Sequence, residues 1–248
     1  MENNYREAAE IIKKSKNLIA LSGAGHSVES GIPDFRGKDG LWTKYDPAIY
    51  AHIEMFRMHP EKTWEMLAEM QELTGKAKPN AGHIALARLE EIGILKAVIT
   101  QNIDNLHQAA GSKHVIEFHG NSRNLKCLDC GMTFSAEQFR IEKCAPPRCK
   151  ECGSILKPTV IFFGENIPHN ALMESMRLAD IADAVMVIGT SAQVFPAASI
   201  PYKAKENGAT IIEMNLEKTA LTDSITDIFI EGLLGKTLPE LLRHVESK

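Results

Sequence analysis

The chain has 248 residues, 44% of them hydrophobic and 24% charged, with a net charge of -4. That length supports one large core plus a small module, and the slightly negative balance argues against nucleic acid or anionic membrane as a partner. No apolar run reaches the length of a membrane span, so a cytoplasmic, reducing setting is expected.

The first fourteen residues mix Glu2, Arg6, Glu7, Glu10 and Lys13 with Ile11 and Ile12, which predicts an amphipathic helix and not a signal peptide. Residues 18–21 form a short apolar run suited to a buried strand. Gly23 and Gly25 follow, where the chain can turn tightly and approach a ligand closely. A pyrophosphate resting on the amides there is one reading, and a tight turn without a ligand is the other. The next glycine is Gly31, too late for G-x-G-x-x-G, and no Gly-Lys-Ser/Thr follows. Pro33-Asp34-Phe35-Arg36 then places a carboxylate, an aromatic ring and a guanidinium beside the turn, as in a loop that folds over a ligand.

Residues 38–78 are helical in character and rich in aromatic residues. A helix is predicted over 81–92, with Gly93 as its stop, and His83 and His107 read as packing or capping residues. The strand predicted at 97–100 ends in Gln101-Asn102-Ile103-Asp104. Two amides and a carboxylate suit a ribose or a carboxamide, and equally an ordinary helix cap. The strand at 115–118 runs into His119 and Gly120, which fits either a general base or a structural histidine.

Cys127-x-x-Cys130 and Cys149-x-x-Cys152 are separated by 18 residues, and Gly follows each pair. This spacing predicts a zinc ribbon holding one structural Zn2+, a closed site without catalytic water. Redox pairs and free buried thiols are the competing readings, and Cys144 reads as a bystander. Residues 160–163 look in part like a core strand before Gly164-Glu165. A helix over 171–182 precedes a strand at 184–188, which ends in Gly189-Thr190-Ser191, a second small-residue phosphate or ribose site. The strand at 210–214 ends in Asn215, a candidate ribose ligand, and another strand is predicted at 227–230. Thr237-x-x-Glu240 reads as a capping box for the last helix. Alternating strands and helices predict an α/β fold, a parallel sheet covered by helices on both faces, with ligands beyond the carboxyl ends of the strands.

The ordered set GAGHS, GIPDFRG, KPNAGH, TQNIDNLH, EFHG, the paired C-x-x-C, FFGE, GTS and MN resembles the sirtuin family, the NAD-dependent protein-lysine deacylases, from about Asn17 to Leu238. The resemblance implies a Rossmann-like NAD-binding domain over 1–37, 79–120 and 158–248. It also implies a cofactor-loop end and helical insert over 38–78, and a zinc-ribbon module over 121–157. Gly23, Ala24, Gly25, Val28, Asp34, Phe35 and Arg36 then fall around NAD, and Gln101 and Asn102 at its ribose. Ile103 and Asp104 fall at nicotinamide, Gly189, Thr190, Ser191, Asn215, Leu216 and Glu217 at adenosine, and Leu233 at adenine. His119, which also touches NAD, is implied as the catalytic base, with Asn102 as the second catalytic residue. Val160, Phe162, Gly164, Glu165 and Val194 are implied to hold acyl-lysine and to pair with the peptide backbone.

The implied reaction is attack of the acyl oxygen on C1′ with loss of nicotinamide, deprotonation by His119 of a ribose hydroxyl that attacks the amidate carbon, and addition of water, which releases lysine and O-acyl-ADP-ribose. Acetyl-lysine proteins or peptides are the implied partners. His26 and Ala192 depart from the family's usual aliphatic residues. Leu67 and Met70 stand where relatives that prefer acidic acyl groups carry Tyr and Arg. The expected activity is therefore deacetylation rather than desuccinylation. Longer-chain deacylation, mono-ADP-ribosyl transfer and a non-catalytic NAD- or zinc-binding module are the alternatives.

Overall fold

Short apolar runs form β1 (Leu18–Ser22), β2 (Leu95–Thr100) and β3 (Val115–Glu117). The cysteine segment adds β4 (Asn124–Cys127), β5 (Thr133–Ser135) and β6 (Leu156–Pro158), and β7 (Ala184–Ile188), β8 (Thr210–Asn215) and β9 (Ile228–Glu231) follow. The structure is a computed structural model and describes residues 2–38, 40–142 and 145–247; Cys144 lies outside the described residues.

Six strands make one parallel sheet in the order β3-β2-β1-β7-β8-β9. The chain builds outward from β1 and then returns to lay β7 on its other side. The topological switch point therefore lies between β1 and β7, where a crevice opens at the carboxyl ends of the strands. Every residue of β1 and β7 is buried, as a parallel sheet covered on both faces requires.

The helices, in chain order, are α1 (Glu2–Lys14), α2 (Leu41–Lys44), α3 (Pro47–Tyr50), α4 (Ile53–Met58), α5 (Pro60–Lys76), α6 (Ala81–Glu91), α7 (Leu106–Ala109), α8 (His169–Ile181), α9 (Ser199–Glu206) and α10 (Leu234–Glu246). Helix α1 buries Tyr5, Ala8, Ala9 and Ile12, a single stripe at helical spacing, and packs with α6 and α10 on one face of the sheet. Leu178 and Ala179 of α8 and Ile200 and Ala204 of α9 cover the other face. The α/β architecture read from the sequence is the one observed. No described helix is long and apolar enough to cross a membrane.

A third cluster lies outside the large sheet. It joins Leu41, Phe56 and Trp64 of the helical insert to Leu125, Cys127 and Leu156 of the antiparallel sheet β5-β4-β6. The Trp64 indole donates to the Leu156 carbonyl at 3.0 Å, so insert and ribbon pack as one body.

Two sequence expectations need correction. Residues 160–163 form no core strand: only an isolated bridge, His52 to Phe163, is present. The segment has no continuous neighbour, because its amides are tied to different parts of the chain. Thr237 is not a cap either, since α10 starts three residues earlier and buries Thr237 within it. Packing of Leu234, Leu238 and Leu241 extends the helix, and Glu29 accepts from the Gly235 amide at 2.6 Å in place of a local cap.

Candidate active site

A cleft of about 1020 Å³ lies at the switch point, between the carboxyl ends of the strands and the smaller body. After β1 the chain turns at Gly23 into a 3₁₀ segment, Ala24–Ser30. The Gly23 amide donates to the Ile188 carbonyl at 3.0 Å and the Gly25 amide to that of Gly189 at 2.8 Å. A Cβ on Gly23 would lie 2.6 Å from the Thr190 Cβ, and one on Gly25 would lie 2.8 Å from the Gly189 oxygen. These glycines are therefore required for close packing of two turns. The amides of Gly23 and Gly25 each have a backbone partner, so at these two positions the tight turn is the reading the geometry supports.

The end of β2 is bound to the same turn. Asn102 is only 7% exposed, and its side-chain NH₂ donates to the Gly23 carbonyl at 3.0 Å and to Ser27 Oγ at 3.1 Å. Gln101 Nε2 donates to Thr190 Oγ1 at 3.0 Å, and Asn215 Nδ2 donates to the Thr190 carbonyl at 3.1 Å. Thr190 thus links the ends of β2, β7 and β8. Asp104 accepts from Ser27 Oγ at 2.6 Å and from the Leu106 amide at 2.9 Å. Burial pushes its carboxyl above the usual range, and these two donors oppose that shift.

His119 is partly buried beside this network, with Nδ1 3.2 Å from the Gln101 carbonyl oxygen. A carbonyl can only accept, so Nδ1 carries the proton and Nε2 keeps its lone pair. Desolvation pulls the His119 pKa below 6.5, against the opposing effect of that carbonyl. The ring is neutral at pH 7.

The remaining cofactor-side and substrate-side candidates line the cleft, including Val28, Asp34, Phe35, Arg36, Ile103, Ser191, Leu216, Glu217, Leu233 and Val194. Asp104 is the exception and lies behind the wall. Asp34 also accepts from the Gly37 amide at 2.9 Å, which fixes the loop's own turn. Met66, Leu67, Met70 and Trp42 join Val160 and Phe162 as apolar wall. Glu165 accepts from the Phe162 amide at 2.8 Å and faces Lys157.

Sequence reading passed over Ser27 and left His26 without an account. Ser27 sits inside the GAGHS motif and was a legible hydrogen-bond partner for the turn. His26 is fully buried and stacks on His83, with ring centroids 4.1 Å apart, while His107 stands edge-on at 5.1 Å. Burial holds His26 well below 6.5, His83 at about 4 and His107 at about 3. This contact joins three positions distant in sequence, so no local signal could have revealed it.

The four described cysteines come together on two equivalent knuckles. The Cys127 amide donates to the Met132 carbonyl at 2.8 Å and the Cys149 amide to that of Ser154 at 2.7 Å. Sγ of Cys127 lies 3.5 Å from that of Cys152, and Cys130 lies 3.6 Å from Cys149. Those separations are far from a disulfide and close to the edge of a zinc tetrathiolate, about 3.8 Å for bonds of about 2.3 Å. The donor set and distances fit one structural zinc.

The Sir2 family profile matches residues 23–196. An NAD-dependent protein deacylase 2 of Archaeoglobus fulgidus is 48% identical, over 99% of this chain and 98% of that protein. An NAD-dependent protein deacetylase of Sulfolobus acidocaldarius is 45% identical, over 98% and 95%. Among solved structures, a Sir2 homolog–NAD complex superposes with a TM-score of 0.90 at 46% identity, covering 96% of this chain and 93% of that one. A Sir2 protein bound to a myristoylated histone peptide gives 0.85 at 41% identity, covering 99% and 98%.

Proposed function

The chain belongs to the Sir2 family and is an NAD-dependent protein-lysine deacetylase, and we propose that His119 and Asn102 carry its chemistry at the β1/β7 switch point. NAD supplies the nicotinamide that leaves and the ribose that takes up the acetyl group, and one water is consumed, so the products are nicotinamide, O-acetyl-ADP-ribose and free lysine. His119 accepts a proton at Nε2 from a ribose hydroxyl. The observation that carries this role is the Gln101 carbonyl on Nδ1, which fixes the tautomer a base needs.

Asn102 holds the cofactor turn against the end of β2. Phe35 and Arg36, on the loop above it, shield and orient the ribose. Gln101, Thr190, Ser191 and Asn215 form the wall that receives the rest of the nucleotide. Acyl-lysine enters along Val160, Phe162 and Val194, where the apolar wall strips water from the acyl group. The zinc braces the smaller body through Cys127, Cys130, Cys149 and Cys152 and takes no part in the reaction. A cytoplasmic setting accompanies this reading, because a reducing compartment keeps four thiols available as ligands.

Incubation with NAD and an acetyl-lysine peptide, followed by mass spectrometry, tests the proposal. Equal amounts of nicotinamide, O-acetyl-ADP-ribose and deacetylated peptide are expected. A peptide that gains the mass of ADP-ribose would establish transfer to the acceptor instead, and no turnover would leave an NAD- or zinc-binding module.

A second reading concerns acyl length. Met66, Leu67 and Met70 give the cleft an apolar wall, and a Sir2 relative binds a myristoylated histone peptide. Long apolar chains are accordingly expected to be accepted beside acetyl. Succinyl-lysine, whose buried carboxylate meets no cation at Leu67 or Met70, is expected to have a kcat/KM about 100-fold lower than acetyl-lysine. Equal efficiency on both peptides would overturn this preference.

A further inference from the structure

Residues 157–165 carry Val160, Phe162 and Gly164 into the cleft wall without belonging to a strand beyond Pro158. Three separate regions hold the segment by its amides. Thr159 donates to the Asn124 carbonyl at 2.9 Å, Ile161 to that of His119 at 2.9 Å, and Phe163 to that of Ala51 at 2.8 Å. Between these anchors the segment closes on one buried ammonium.

The Lys157 side chain is 5% exposed. Its Nζ donates to the carbonyl oxygens of Pro158 at 3.0 Å and Val160 at 2.5 Å, and it lies 2.8 Å from Glu165 Oε2. It also sits 4.1 Å from the centroid of the Phe162 ring. An ammonium has three donors, and here it meets three acceptors. The same Glu165 oxygen accepts from the Phe162 amide at 2.8 Å.

A buried ion pair gives little net stability, because desolvation offsets much of the attraction. What this arrangement does is specify one path for the chain. With the ammonium removed, the Val160 carbonyl would lose its side-chain donor and the Glu165 carboxylate its charged partner, and the residues between them would be held by their backbone amides alone.

We propose that Lys157 is a positioning residue for the acyl-lysine site. With Glu165 it clasps the two ends of the segment, holding Val160 and Phe162 in the cleft wall and, through the Ile161 amide, the backbone of His119. This rests on the reading of that wall as the acyl-lysine site. It assigns Glu165 to the clasp, acting on substrate through the segment it closes.

Lys157→Met keeps the apolar stem and removes the charge, Glu165→Gln keeps the shape, and Lys157→Arg restores a cation. The KM for an acetyl-lysine peptide is expected to rise about tenfold in the Met and Gln variants, with the KM for NAD within about twofold and most of the loss recovered by Arg. Faster amide exchange at Phe162 should accompany the change. Zinc content and circular dichroism check folding, and Glu165→Gln carries the test if Lys157→Met does not fold. An unchanged peptide KM, or equal rises for peptide and NAD, would overturn the clasp. Peptide affinity measured by fluorescence anisotropy separates the two ideas. A wild-type protein that binds peptide without turnover sinks the deacetylase reading, and the clasp then stands or falls on the same shift in Kd.

Discussion

The Nδ1 atom of His119 lies 3.2 Å from the carbonyl oxygen of Gln101, the residue that follows β2. One backbone acceptor thus sets which nitrogen of the proposed base is free, and it comes from the segment that also supplies Asn102. Replacing His119 with Ala is expected to lower kcat by at least about 100-fold, with fold and zinc content intact. The acid limb of the wild-type kcat/KM profile should lie below pH 6.5, because burial lowers the pKa and the neutral base persists to more acidic pH. Full activity in the Ala variant, or an acid limb above 6.5, would remove His119 from this role.

The three buried histidines predict an acid-sensitive fold. Their native pKa values lie below 6.5, at about 4 for His83 and about 3 for His107. The unfolded chain therefore binds protons below pH 6.5 that the native chain refuses, and stability falls as pH drops from 6.5 toward 4. His26→Leu removes one such group and relieves its contact with the other two. Its urea midpoint relative to wild type should improve between pH 7.5 and pH 5; a constant difference across that range would contradict this.

Gly120 and Gly131 have similar backbone angles, φ +72° and +77°, in opposite surroundings. A Cβ at Gly120 would overlap the Thr159 carbonyl oxygen, whereas one at Gly131 meets nothing within 4 Å. Gly131→Ala is expected to cost about 1–2 kcal/mol, the strain of a left-handed residue. Gly120→Ala should cost more than about 3 kcal/mol, because the loop carrying Val160 must also move. Chemical denaturation of the two variants compares them directly, and equal losses would show that crowding at Thr159 is absent.

Cys149→Ser should lower bound zinc, measured by elemental analysis, from one per chain to a small fraction. Loss of the metal should loosen the cluster that joins Leu125 and Leu156 to Trp64, lowering the melting temperature. A variant retaining one zinc would exclude Cys149 as a ligand.

Much of this site was legible because its signals are local. The glycine turn follows an apolar run, two C-x-x-C pairs sit at ribbon spacing, and polar residues fall just past strand ends. Other features were not legible, and each for a physical reason. The run at 160–163 is apolar enough for a strand, but a strand needs a neighbour along its length, and here the amides are divided among Asn124, His119 and Ala51. Thr237 and Glu240 have the spacing of a capping box, yet α10 begins where Leu234 can be buried and where Glu29, distant in sequence, meets the Gly235 amide.

The sequence by itself determined the alternation of strands and helices, the two C-x-x-C pairs at ribbon spacing and the polar residues just past the strand ends, since periodicity, spacing and strand ends are properties of short windows; the further residues expected around the ligands came from the family resemblance. Only the tertiary structure decided that the amides of Gly23 and Gly25 are occupied by the β7 turn, that His26 stacks on His83, and that Lys157 reaches Glu165. Those outcomes depend on which buried polar groups find partners once the chain is packed, and a partner's distance in space cannot be read from its distance along the chain.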